Sequence, residues 1–285
     1  MKKIGFIGAQ SMHAVYFGSV LSSGVPGLDS ASGHLWAPDT PHLVLPRLAA
    51  GEIADSCASL DELLDVSDAL MILLRDGSSH RALAERCLKR GKAVFVDKPF
   101  ACTPEDAEAI LACASKYGVP VMGGSSLCWL PEVAQLAKMA HKAEEISISF
   151  TADPESPYGG WYYYGSHLTD LCAAIAGCEP LGFEAARDGS RVEVLVHYKK
   201  LLVRLSSSLE QKELVFTVRG KDGSINELPV SDYDRCYRLA MERFSLMLRS
   251  GVSVHPDRLL FSTRLLDKII KTLSGDIAAP TGFIH

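Results

Sequence analysis

Gly8-Ala9-Gln10-Ser11-Met12-His13 follows a short apolar run at the place where a dinucleotide-binding turn carries G-x-G-x-x-G. In such a turn the first glycine bends the chain, the second lets backbone approach a pyrophosphate, and the third lets helix and strand pack closely. Only Gly8 is a glycine here; Gln10 and His13 put side chains in the other two positions, so a distorted phosphate site and weakened nucleotide binding are expected. The helix that begins at Ser11 and Met12 still offers free N–H groups and a positive dipole end to an anion. A strand entering a helix with no ligand fits the same residues. Asp39 closes the next apolar run, Leu35-Trp36-Ala37-Pro38-Asp39, and is placed either to accept hydrogen bonds from an adenosine ribose or to cap a helix starting at Pro41. No lysine or arginine follows it closely, which favours NAD, with NADP as the alternative.

A second group of residues lies near the middle of the chain. Tyr158, Trp161, Tyr162, Tyr163 and Tyr164 crowd into seven positions, and aromatic faces stack on the C–H faces of sugars while phenols hydrogen-bond. Packing between domains or subunits would use the same residues. Other chemistries fail on spacing. Gly123-Gly124-Ser125-Ser126-Leu127 lacks the second glycine of a nucleophile elbow, no H-E-x-x-H occurs, and no Cys-x-x-Cys pair exists to hold zinc, so no metal is expected.

These residues need a scaffold. With 285 residues, 47% of them hydrophobic and 22% charged, the chain exceeds what one small core needs, and two domains are expected. A net charge of −5 without long basic clusters argues against nucleic-acid or membrane partners and for a small molecule. The N-terminal apolar run is too short for a signal segment, and no stretch reaches the roughly 18 to 20 apolar residues of a spanning helix. The eight cysteines read as reduced thiols packed as small hydrophobes, which suits a cytoplasmic protein.

Up to about residue 123, short apolar runs alternate with amphipathic segments, the pattern of βαβ units and a parallel sheet. Expected strands are 3–8, 34–37, 69–74, 93–96 and 120–123, and expected helices 12–22, 41–50, 61–65, 80–90 and 104–117. The last has Thr103 as N-cap, Pro104 at its first position, Glu105 and Asp106 in the first turn and Gly118 after its end. The texture then changes. A helix at 130–143, a strand at 145–151 and a helix around 167–176 lead into a meander of strands 182–187, 191–198, 201–207 and 213–219, whose short turns require antiparallel neighbours. Helices 233–249 and 256–273 close the chain. The fold class is α/β: a doubly wound Rossmann domain over 1–123 and a smaller α+β domain with a mostly antiparallel sheet over 124–285.

The string from Ser67 to Leu74, then His80, then Gly91-Lys92 and Ala93-Val94-Phe95-Val96-Asp97-Lys98-Pro99 resembles the Gfo/Idh/MocA oxidoreductase family. That family has a strand, a histidine opening the next helix, a G-K turn, an apolar strand and E-K-P; Asp97 stands here for the glutamate. Its D-x-G-x-H-x-x-D motif is matched by Gly165, His167 and Asp170, with Tyr163 in place of the leading aspartate. The resemblance implies a divergent, short member that exchanges a hydride between NAD(P) and a sugar-like or polyol substrate, as a homodimer or homotetramer. It implies a cis peptide before Pro99, Lys98 as the group that polarises the substrate oxygen or shuttles its proton, and His167 in support, with Tyr163 as a third candidate. The cofactor set then comprises Gly8, Gln10, Ser11, Met12, Asp39, Leu74, His80, Asp97 and Lys98, and the substrate set Trp161, Tyr163, Tyr164 and Asp170. The lost glycines and Tyr163 support a competing expectation: a non-catalytic member that binds a nucleotide or sugar as a sensor or scaffold.

Overall fold

The structure, a computed structural model, describes residues 2–38 and 40–275. The described residues form two compact units, the first comprising those up to Ala101 with Glu105–Ser126 and Asp234–Pro256, the second Cys102–Pro104, Leu127–Tyr233 and 257–275.

The first unit is built on a parallel sheet in the order β3-β2-β1-β4-β5-β6. Its strands are β1 (Lys3–Ile7), β2 (Ser32–Trp36), β3 (Asp55–Ser56), β4 (Ala69–Ile72), β5 (Ala93–Val96) and β6 (Val121–Gly123). The central strands are apolar and buried along their length, as strands covered on both faces must be. The chain starts in the middle, winds to one edge through β2 and β3, and returns to β4, so the strand order reverses between β1 and β4. Ligands of such sheets bind beyond the carboxyl ends of the strands at that reversal. The covering helices are α1 (His13–Ser22), α2 (Val44–Gly51), α3 (Leu60–Val66), α4 (His80–Lys89) and α5 (Pro104–Tyr117). The two-residue β3 escapes sequence reading because it is too short to show any period.

One helix from late in the chain, α8 (Arg235–Ser250), belongs to this unit. The sequence expectation had placed it with the second domain. Its apolar stripe provides the reason: fully buried Phe244 meets Phe95 of β5 edge-on at 6.4 Å, and Tyr237 stacks on Tyr16 of α1 at 4.7 Å. Ser245 Oγ also donates to the Pro26 carbonyl at 2.6 Å.

The second unit has a six-stranded sheet in the order β12-β11-β7-β10-β9-β8. The strands are β7 (Ala143–Thr151), β8 (Gly182–Asp188), β9 (Arg191–His197), β10 (Leu202–Ser208), β11 (Leu214–Gly220) and β12 (Ile225–Val230). Its helices are α6 (Pro131–Met139), α7 (Tyr162–Ala176) and α9 (Pro256–Leu273). The expected meander is corrected at one point. β10 and β11 are not neighbours, because β7 lies between them, parallel to β10 and antiparallel to β11. β7 alternates strictly, with Ile146, Ile148 and Phe150 buried, so it makes a half-buried central strand and takes ladder bonds on both sides. The extra strand β12 is an edge strand, largely exposed, and its apolar residues Ile225, Leu228, Pro229 and Val230 do not alternate, which is why the sequence gives it no strand signal.

Phe244→Ala tests the placement of α8. Loss of this buried ring should lower stability by about 3 to 5 kcal/mol in urea unfolding. Leu246→Ala, on the exposed side of the same helix, should stay within about 0.5 kcal/mol.

Candidate functional site

In the first unit the ladder aligns the strand ends. Gly8 N donates to Trp36 O at 2.9 Å, Leu73 N to Ile7 O at 2.8 Å and Asp97 N to Ile72 O at 2.9 Å, so the residues after β1, β4 and β5 stand level. Gly8 has φ +105°, and a Cβ there would lie 3.0 Å from the Leu74 backbone nitrogen, so this turn needs glycine. Leu74, expected at the cofactor, is buried beneath Gly8 and shapes the turn from below.

Ser11 is buried, and its Oγ accepts from the His13 N–H at 3.2 Å, which satisfies one of the free N–H groups of the first turn. Gln10 is half-buried, and its amide has no hydrogen-bond partner among the described residues. Met12 is partly exposed at the rim. Arg47 of α2 reaches over, donating through Nε to Ala9 O at 2.8 Å and through Nη1 to the Met12 sulfur. A lone arginine on an ordinary helix gave no sequence signal for that brace. Asp39 lies outside the described residues.

His13 does more than crowd the third glycine position. Its Nδ1 stands 2.5 Å from Asp97 Oδ2, and its ring meets Tyr237 edge-on at 5.2 Å. The Asp97 side chain is 4% exposed. Burial pushes its carboxyl up, but His13, by charge and hydrogen bond, and Lys98 outweigh that and hold it below the ordinary carboxylate range. Sequence reasoning treated His13 as an obstacle and missed this pair, whose members are 84 residues apart. The available signal was a histidine where a glycine belongs, together with the acid of the D-K-P string. Lys98 is 1% exposed, and the Lys98–Pro99 peptide is cis, as the resemblance implies.

His80 takes a different part from the one expected of it. It is fully buried, with Nδ1 2.8 Å from Pro99 O and Nε2 3.0 Å from Leu74 O, so both ring nitrogens face backbone inside the unit. It joins the end of β4 to the Lys98–Pro99 peptide. Burial lowers its proton affinity, against the pull of the Leu74 carbonyl, Asp97 and the Pro99 carbonyl. A neutral ring has one N–H and serves one of the two carbonyls at a time.

In the second unit α7 begins at Tyr162, five residues before the expected start, so His167 is in mid-helix rather than at a cap. Tyr163, His167 and Asp170, spaced four and three apart, fall on one face of α7, and all three are buried. His167 meets Phe150 of β7 edge-on at 5.6 Å and lies 5.7 Å from the Tyr164 ring. The Tyr163 ring is 5.2 Å from Tyr158 and 4.7 Å from Tyr164. Trp161 is 3% exposed, its Nε1 donates to Ser207 Oγ at 3.0 Å, and its ring covers Gly165, where a Cβ would come within 2.3 Å. Trp161 is therefore packed within the second unit, the role of a core filler that its residue type allows. Among the described residues no group of three or more His, Cys, Asp or Glu side chains is arranged to hold a metal ion. No described helix is long and apolar enough to cross a membrane.

Comparison with known proteins gives this geometry a family context. Residues 2–125 match the Gfo/Idh/MocA model, described as an oxidoreductase family with an NAD-binding Rossmann fold. A D-apiose dehydrogenase of Paraburkholderia graminis is 34% identical over 85 residues, a match that covers 30% of this chain and 22% of that protein's length. Two solved structures share the fold over nearly the whole chain. GenD2 from gentamicin A biosynthesis, in complex with NAD, has a TM-score of 0.79 at 15% identity, covering 97% of this chain and 95% of the other. A putative myo-inositol dehydrogenase from Sinorhizobium meliloti 1021 has a TM-score of 0.79 at 17% identity, covering 98% and 100%.

The buried histidine sets a pH test. Its proton affinity is lowered in the folded chain, so as pH falls the unfolded chain binds the proton first, and stability is lost from about pH 6.5 downward. Asp97, held below the ordinary range, keeps its full contribution above about pH 3.9 and loses it progressively as the pH falls below that. His80→Gln should therefore shrink the drop in urea midpoint between pH 7 and pH 5. An unchanged drop would show that His80 does not carry it.

Proposed function

We propose that this chain, whose residues 2–125 match the Gfo/Idh/MocA oxidoreductase model, is an NAD(P)-dependent dehydrogenase or reductase acting on a sugar-like or polyol substrate. The observation that carries this reading is the turn at Gly8, with φ +105° and beside it, at the head of α1, the Gln10 amide, which has no hydrogen-bond partner among the described residues. Those features fit a dinucleotide's phosphates: backbone approaches without a Cβ, and N–H donors converge on an anion. Gly8, Gln10, Ser11 and Met12 hold that end of the cofactor, and Asp97 and Lys98 face its reactive end. When bound, the nicotinamide accepts or supplies a hydride at its C4.

The residues supply the rest of the chemistry. Lys98 polarises the substrate oxygen during reduction, or receives the hydroxyl proton during oxidation, and His167 assists as an acid or base near neutral pH. Help of this kind is worth about 10²- to 10⁴-fold in rate. Asp170, one turn along α7, orients His167. Tyr163 supplies a phenol where the family motif has a carboxylate, and at neutral pH a phenol gives a proton more readily than it takes one. Reduction of keto-sugars and lactones is therefore favoured over oxidation of polyols. Tyr164, which lies near the His167 ring, is the aromatic face offered to a sugar.

A second reading draws on that same Tyr163: a member that binds a nucleotide or sugar-like ligand without turning it over. Thermal-shift titrations with NAD, NADH, NADP and NADPH, followed by substrate screening in both directions, separate the two. A cofactor at about 100 times its Kd should add about 2.7 kcal/mol of stability. Lys98→Ala should then still be stabilised by cofactor, at a higher concentration, and lose at least about 100-fold in turnover at saturating cofactor. Stabilisation without turnover supports the non-catalytic reading, and no shift with any nucleotide removes the enzyme reading and leaves the second only as a binder of a sugar-like ligand. Gln10→Gly separately reports on the turn. Tighter NADH binding is expected if Gln10 only crowds the phosphates, whereas a tenfold loss would show that its amide donates to them.

A further inference from the structure

We propose that His13 is a ligand of the bound dinucleotide, hydrogen-bonding through Nε2 to an oxygen of its ADP-ribose part, with Asp97 as the residue that aims it. This rests on the cofactor reading above, and it assigns a binding role to the side chain that breaks the glycine pattern.

The case begins with the two ring nitrogens. Nδ1 faces a carboxylate that is buried and held in its ionised form, so Nδ1 carries the proton and donates it to Asp97. That fixes the plane and the direction of the ring, and Tyr237 against its edge narrows them further. Nε2 has no hydrogen-bond partner among the described residues, and the side chain is 14% exposed. A buried acid orienting an imidazole whose second nitrogen is left open is an arrangement that presents that nitrogen to something outside the fold.

The position of the ring indicates what that something is. His13 is the first residue of α1, directly after the turn at Gly8, and Asp97 is level with that turn across the sheet. The backbone N–H of His13 is already taken by Ser11 Oγ at 3.2 Å. One donor that a glycine-rich turn would direct at a phosphate is thus withdrawn, and the Nε2 of the same residue is available in its place. Nε2 accepts from a ribose hydroxyl when unprotonated and donates to a phosphate oxygen when protonated. Both kinds of oxygen belong to the ADP-ribose part.

Two amide substitutions separate the nitrogens. Asparagine places its amide near the former Nδ1, the atom that holds Asp97, and glutamine reaches to the former Nε2. Dissociation constants for NADH and for ADP-ribose, by fluorescence and calorimetry, should rise at least about tenfold in His13→Asn and stay within about threefold in His13→Gln. Thermal midpoints without ligand show that each variant is folded. His13→Gly, which restores the family's residue, should also weaken both ligands about tenfold. Binding retained in His13→Asn but lost in His13→Gln would mean that the histidine serves only to neutralise Asp97, and would overturn the proposal. Equal weakening in both, no weakening in either, or tighter binding in His13→Gly would overturn it too. A loss confined to NADH would place the contact at the nicotinamide and refute the ADP-ribose assignment. If the unmodified chain binds neither NADH nor ADP-ribose, the cofactor reading fails, and this one with it.

Discussion

The ladder across β1, β4 and β5 is the constraint on which the first unit depends. Parallel strands buried on both faces cannot slip by a residue without leaving backbone groups unpaired, so the bonds Leu73 N to Ile7 O and Asp97 N to Ile72 O set where each strand stops. Three connections then emerge at one height, and the residues that begin them are an achiral glycine, a leucine that fills the space under it, and an acid followed by a lysine. A site made this way owes its geometry to backbone register more than to the side chains that decorate it.

Buried polar groups at those strand ends are met close by. Asp97 has His13 and Lys98, while His80 has two carbonyls that belong to the segments it joins. Removing one partner of such a set is costlier than removing a surface ion pair such as Arg86–Asp61, because solvent cannot take the missing place. The second unit uses a different device. There α7 carries Tyr163, His167 and Asp170 along one face, and the Trp161 ring seated on Gly165 holds the start of the helix.

What could be read from the sequence follows the range of the interactions. Ala93–Val96 and Pro104–Tyr117 match expectation because their signals are local: an apolar run after Gly91-Lys92, and a helix with proline at its start and glycine past its end. Gly8 and the Lys98-Pro99 string were legible for the same reason. The His13–Asp97 pair, the reach of Arg47 to Ala9 and the insertion of β7 between β10 and β11 join residues far apart in the chain, and no local pattern encodes them. Trp161 shows the converse limit: its residue type suits stacking on a sugar or filling a core equally well, and only burial and the bond to Ser207 distinguish the two.

The return of α8 to the first unit has a consequence for how this protein can have been assembled and how it can be taken apart. A segment ending near residue 125 would leave the faces of Phe95, Tyr16 and Phe17 without the helix that covers them, so the first unit is not a contiguous cassette. Gene fusions or exchanges that swap the nucleotide half of such a chain must carry the late helix with it or supply a substitute. During synthesis, too, the first unit stays uncovered until more than two hundred residues have been made.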